Sequence, residues 1–252
     1  MLSLGTPAAG PEETPARADT NIEITMLDVN AAAVRLAFGK KVVYIDAPIG
    51  VSSTQVADAT VMFSTHDDLD HFDPRASAAA ARASRAPVIG PPTISYPLLV
   101  DEKLSPELVI PLYSPLAQKN DKGWHTQNGI RFRIFRSSHV SGWGAIHLSF
   151  LIELGGRRFF HTGDSLDPLP KEATERDLDA LFCNTKLGNE KSLELFLELL
   201  KNPKILRIIP YHFHGTNDVL FAELAKQRGE PRIVVLGENN PRLVLPASAS
   251  AE

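Results

Sequence analysis

Four runs of mainly aliphatic and aromatic residues in this chain stop abruptly, and within a few residues each is followed by histidine or aspartate. Ala59 to Phe63 runs into Ser64-Thr65-His66-Asp67-Asp68-Leu69-Asp70-His71, and Ile130 to Phe135 leads to His139. Arg157 to His161 leads to Asp164, and Ile205 to Ile209 leads to Pro210-Tyr211-His212-Phe213-His214. Short apolar runs bounded by turn residues are strand signals. Polar clusters at their ends belong on the loops that a rigid sheet presents to solvent. The chain therefore has to build sheets whose loops gather His and Asp at strand ends.

The rest of the pattern fits one α/β body. Ile22 to Met26, Ala33 to Phe38 and Lys41 to Ile45 read as a meander, with Gly39-Lys40 as the hairpin turn. A second meander takes in Ile130 to Phe135, His147 to Leu154 and Arg157 to His161, the last two joined across Gly155-Gly156. Leu178 to Cys183 reads as a buried strand. Arg75 to Ala86 and Glu190 to Leu200 read as helices. Gly90-Pro91-Pro92 breaks the chain, and the stretch from there to Asn128 gives no clear periodicity. Residues 1–21 are expected to be a flexible leader, 22–245 a single domain and 246–252 a flexible tail.

Charge narrows the range of partners. With 26 Lys and Arg against 30 Asp and Glu, the net charge is -4, and no run of basic residues is long enough to follow a phosphate backbone. No nucleic acid is expected as partner. No apolar stretch approaches the ~20 residues of a membrane span, so no membrane partner is expected either. The single cysteine, Cys183, excludes an internal disulfide and fits a reducing, cytoplasmic setting.

Imidazoles and carboxylates converging from fixed backbone are the ligand mix of zinc, iron and manganese sites. At these residues the chain resembles the metallo-β-lactamase superfamily. That family's loop, His-x-His-x-Asp-His, is followed by a lone His, a lone Asp and a final His. Here His66-x-Asp68-x-Asp70-His71, His139, Thr162-Gly163-Asp164 and Pro210-Tyr211-His212 keep that order. The compact length, Ile45-Asp46-Ala47-Pro48 and the Pro-x-His ending look most like the branch containing ascorbate-6-phosphate lactonase. The resemblance implies an αββα four-layer sandwich with two divalent metal ions (Zn, Mn or Fe) at one edge. By position, His66 and His139 would hold the first ion and Asp70, His71 and His212 the second, with Asp164 bridging. It further implies hydrolysis by a hydroxide shared between ions about 3.5–4 Å apart, with Asp164 and Asp70 orienting it.

The sequence departs from the family at Asp68, which stands where the second loop histidine is expected. A carboxylate there would add a harder ligand and negative charge, favouring Mn or Fe over Zn. Alternatively, the first site is weak and Asp70, His71, His212 and Asp164 form a mononuclear site, or Asp67 serves as ligand. His214 is a rival to His212. His125, His147 and His161 default to packing roles, Cys183 to a buried apolar role, and Trp143, between Gly142 and Gly144, to a pocket wall or ordinary core. The expected function is a metal-dependent hydrolase of a small ester, lactone or phosphoester. The alternative is a non-catalytic binding module whose metal site has degraded.

Overall fold

Tight hairpins at Gly39-Lys40 and Gly155-Gly156 each join two neighbouring strands, one hairpin in each of two sheets, and at the second both glycines take positive φ (56° and 74°). That conformation matches the right-handed twist of the flanking strands. The computed structural model describes residues 21–28, 30, 33–112, 123–140, 146–185, 190–212, 217–237 and 240–246. Residues 1–20 of the expected leader, 247–252 of the expected tail, Trp143 with its neighbouring glycines, and His214 lie outside the described residues.

The first sheet holds β1 (Ile22–Asp28), β2 (Ala33–Phe38), β3 (Lys41–Ile45), β4 (Val61–Phe63), β5 (Val88–Gly90), β6 (Val109–Pro111) and β13 (Arg242–Leu245). Their order is β13-β1-β2-β3-β4-β5-β6. The second holds β7 (Trp124–Gln127), β8 (Ile130–Ser137), β9 (His147–Leu154), β10 (Arg157–His161), β11 (Ala180–Asn184) and β12 (Ile208–Tyr211), ordered β12-β11-β10-β9-β8-β7. Both sheets begin antiparallel and finish parallel: β3, β4, β5 and β6 are parallel neighbours, as are β10, β11 and β12. Because β8 and β10 both pair antiparallel with β9, the carboxyl ends of β8, β10, β11 and β12 share one edge. Ligand crevices of open α/β sheets lie outside such carboxyl ends.

Strand alternation builds four layers. In β3, Val43 and Ile45 enter the core between the sheets, while Val42 and Tyr44 join the cluster beneath α1 (Pro74–Ser84). In β11, Ala180 and Phe182 face the other sheet, while Leu181 and Cys183 pack with Phe196 of α2 (Glu190–Leu200) and Phe221 of α3 (Asn217–Arg228). Strands buried on both faces read as continuous apolar runs, which is why they stood out in the sequence. Phe63, at the end of β4, meets Phe132 and Phe150 across the sandwich, both at 4.9 Å between ring centres. Phe150→Ala is expected to cost about 3–5 kcal/mol in urea unfolding; a loss below about 1 kcal/mol would show that the two sheets do not meet there.

Differences from the sequence reading have local causes. The unassigned stretch before Asn128 contains β6, β7 and single helical turns, and β5 ends where it begins, each too short to show a period. The strand expected over 205–209 starts at Ile208, and Ile205 only bridges Leu178. Helix α3 escaped because its apolar residues lie all round its axis. Among the described residues, no helix is long and apolar enough to cross a membrane.

Cys183 is buried, and burial pushes its thiol up to about 12. The folded protein therefore keeps a proton that the unfolded chain releases in the ordinary thiol range, and stability falls as pH rises from that range towards about 12. Native protein at pH 8 should react with a thiol reagent only at its unfolding rate, and denatured protein within seconds; fast native labelling would contradict the buried placement.

Candidate metal centre

The loop after β4 is held from both ends. Ala47 N–H donates to His71 O (2.9 Å), Ile49 N–H to Leu69 O (3.0 Å), and Asp73 N–H to Ala47 O (2.6 Å). Asp73 then caps α1, accepting from the backbone N–H groups of Arg75 and Ala76, with Pro74 as the first helical residue. Fixed in this way, the loop places buried His66 and His71 beside half-exposed Asp68 and Asp70. His139 follows β8, Asp164 follows β10, and His212 follows β12.

Two ligand groups result. His66 Nε2 and His139 Nε2 lie 3.5 and 3.4 Å from Asp68 Oδ2. His71 Nε2 and His212 Nε2 lie 2.8 Å apart, with Asp70 Oδ2 3.8 Å from His212 Nε2. Asp164 stands between the groups. Its Oδ1 lies 2.8 Å from His212 Nε2 and 3.1 Å from His71 Nε2, and its Oδ2 lies 3.4 Å from His139 Nε2. Within each of the sets His66-Asp68-His139, His66-His71-Asp164 and Asp70-His71-His212, the ligand atoms lie within 4.8 Å of one another. Asp67 is exposed and joins none of these sets among the described residues.

Supporting residues fix these ligands. Asp46, buried and in left-handed backbone (φ 57°), accepts from Thr65 N–H (2.7 Å), from Thr65 Oγ1 (2.9 Å) and from His71 Nδ1 (2.7 Å). A carboxylate only accepts, so His71 Nδ1 carries a proton towards Asp46, and Nε2 faces the cluster. His212 is also in left-handed backbone (φ 63°), the kind of strain that persists where surrounding contacts hold it. Asp164 N–H donates to His147 Nε2 (2.8 Å), so His147 donates from Nδ1 to Ser137 Oγ (2.7 Å). The chain continues through Ser149 Oγ to Thr162 O. Gly163 N–H donates to His161 Nδ1 (3.1 Å), Tyr211 Oη donates to Gly163 O (2.7 Å), and Asn184 Nδ2 donates to Asp164 Oδ1 (3.3 Å).

The electrostatics suit a cation. Burial works against the Asp164 carboxylate, but hydrogen bonds from His139, His212 and His71 hold it well below the usual carboxylate range. Burial, with His71 and His147 alongside, holds His66 below the usual imidazole range and so neutral, the form that binds metal. Burial also lowers His147, to about 4. His71 moves the other way. Burial opposes its charge, but Asp46 and Asp164 outweigh that and push it up to about 10. His66 Nε2 is buried and makes no hydrogen bond among the described residues, a costly arrangement for a polar atom with nothing to bind. These donors fit divalent cations.

No protein-family model and no curated protein matches the sequence. Solved structures do match. One from Veillonella parvula, named as a possible metal-dependent hydrolase, shares 17% identity at a TM-score of 0.66, over 88% of this chain and 99% of that one. The metallo-β-lactamase fold protein YhfI from Bacillus subtilis shares 13% at 0.63, over 89% and 99%. This chain has the metallo-β-lactamase fold. The short form of human tRNase Z shares 17% at 0.60, over 90% and 99%, so proteins with different names share this fold.

Within that fold, the structure brings together every residue singled out as a ligand: His66, Asp68, Asp70, His71, His139, Asp164 and His212. His161 and His125 pack as expected, stacked on Tyr211 and Phe132. His147 does more than pack, since it holds the Asp164 backbone. Asp46 and Asn184 were not assigned a role from sequence. Both lie at the ends of apolar runs, Val42 to Ile45 and Leu181 to Cys183, so the pattern that singles out the candidate ligands also points to them.

Proposed function

We propose that the chain is a hydrolase whose seven clustered His and Asp residues hold two divalent cations (Zn, Mn or Fe) and cleave a small ester, lactone or phosphoester. The observation that carries this reading is the Asp164 carboxylate, whose two oxygens face different ligand groups, as a bridging ligand must. Cations held there would supply Lewis acidity and acidify water in the cleft. The chain's own residues do the positioning. Asp46 holds the Nδ1 proton of His71 and turns Nε2 inward. Asp70, with its carboxylate 44% exposed at the rim, can orient an attacking water by accepting its hydrogen bond. His147 and Asn184 keep Asp164 aimed at both groups.

A small substrate taken up in the cytoplasm, as for the ascorbate-6-phosphate lactonase branch, fits the acidic balance of the chain. Protein stripped with a chelator should lose phosphodiesterase or lactonase turnover and regain it with Zn, Mn or Fe. Two ions bound without turnover of any generic ester, lactone or phosphodiester would favour the binding module instead. Efficient cleavage of structured RNA alone would overturn the small-substrate reading.

A further inference from the structure

The two ligand groups have the same composition. His66, His139 and Asp68 form one, His71, His212 and Asp70 the other, and Asp164 offers one oxygen to each side. The match depends on Asp68, because a histidine there would give the first group three imidazoles. Asp68 Oδ2 stands nearly equidistant from His66 Nε2 and His139 Nε2, at 3.5 and 3.4 Å. The buried His66 Nε2 that faces it makes no hydrogen bond among the described residues. A carboxylate placed between two imidazole nitrogens, one of them buried and making no hydrogen bond among the described residues, is arranged as the third ligand of an ion.

We propose that Asp68 is a metal ligand that makes the first site a two-histidine, carboxylate-rich site matched to the second, and shifts selectivity away from zinc towards manganese or iron. This rests on the two-cation reading above and deepens it. The reason is ligand hardness. Imidazole suits zinc, copper and nickel as well as iron, whereas carboxylate oxygen favours harder ions such as manganese, and two histidines with a carboxylate are a known iron(II) arrangement. Charge acts in the same direction, because three carboxylates against two divalent ions leave little excess positive charge to polarise a bound group. Zinc still binds more tightly in absolute terms, as the general affinity order of divalent metals requires. What Asp68 changes is the ratio.

The test compares the natural chain with Asp68→His and Asp68→Asn, all stripped of metal and titrated separately with Zn2+ and Mn2+ by calorimetry. Electron paramagnetic resonance of the Mn2+ complexes provides the second readout. The natural chain should bind two Mn2+ ions with a spin-coupled signal. Asp68→His should raise the ratio of manganese to zinc dissociation constants at least about tenfold, and Asp68→Asn should lose one Mn2+ and the coupled signal. Asp68→Asn keeps the side chain's shape, so it decides the matter even if the histidine variant folds poorly. Two ions bound by all three proteins with ratios within threefold would overturn the role of Asp68 and leave the hydrolase reading standing. No ion bound by the natural chain at millimolar concentration would overturn both.

Discussion

Asp164→Ala is expected to abolish binding of both cations, because this carboxylate turns one oxygen towards each ligand set. Its Oδ1 lies 2.8 Å from His212 Nε2, and its Oδ2 lies 3.4 Å from His139 Nε2. Substitutions of groups that merely support metal ligands lower affinity by about 10–100-fold, so loss of a shared ligand should exceed about 100-fold at each site. Metal analysis after dialysis should find less than one ion per chain, with hydrolysis at background and far-UV dichroism unchanged. Retention of two ions would mean that Asp164 is not a ligand they share. Asp164→Glu keeps the charge and displaces it by one methylene, and should recover some binding with altered stoichiometry.

Gly163→Ala should have the largest effect on stability of any single-methyl change near the centre. Gly163 has φ +54°, in the left-handed region where a side chain costs roughly 1–2 kcal/mol. An added Cβ would lie 2.5 Å from His147 Nε2 and 2.9 Å from Thr65 Cβ, both in well-packed surroundings. Relieving those contacts means moving His147 off the Asp164 backbone or pushing the β4 loop away. Strain and overpacking together should cost about 3 kcal/mol, read as a shift of the urea midpoint at constant slope, and metal affinity should fall in parallel. A variant of near-natural stability would mean the turn can open without disturbing its neighbours.

The candidate ligands could be read from the sequence because one pattern recurs. A single polar residue past a strand end says little, but four apolar runs each followed by histidine or aspartate, in a fixed order, point to one shared site. The loop from His66 to His71 was the clearest case, with four ligand candidates within six residues. Residues acting through a third party were harder to read. Asp46 lies twenty residues before His66 and contacts it only through the Thr65 hydroxyl, yet it also fixes His71 directly. Asn184 is one of several polar residues after an apolar run, and nothing in its neighbours says that it faces Asp164. In the fold, the long antiparallel hairpins were legible. The three-residue strands β5 and β6 were not, because they are shaped by pairing, β5 with β4 and β6 with β5, rather than by a pattern of their own.

Each ligand group is assembled from two sources: His66, Asp68, Asp70 and His71 come from the first sheet's loop, and His139 and His212 from the ends of strands in the second. A cation in either position would clasp the two halves of the sandwich together at that rim. Separate fragments cut between β6 and β7 should thus hold metal poorly alone and regain it on mixing, which makes metal uptake a reporter of correct reassembly.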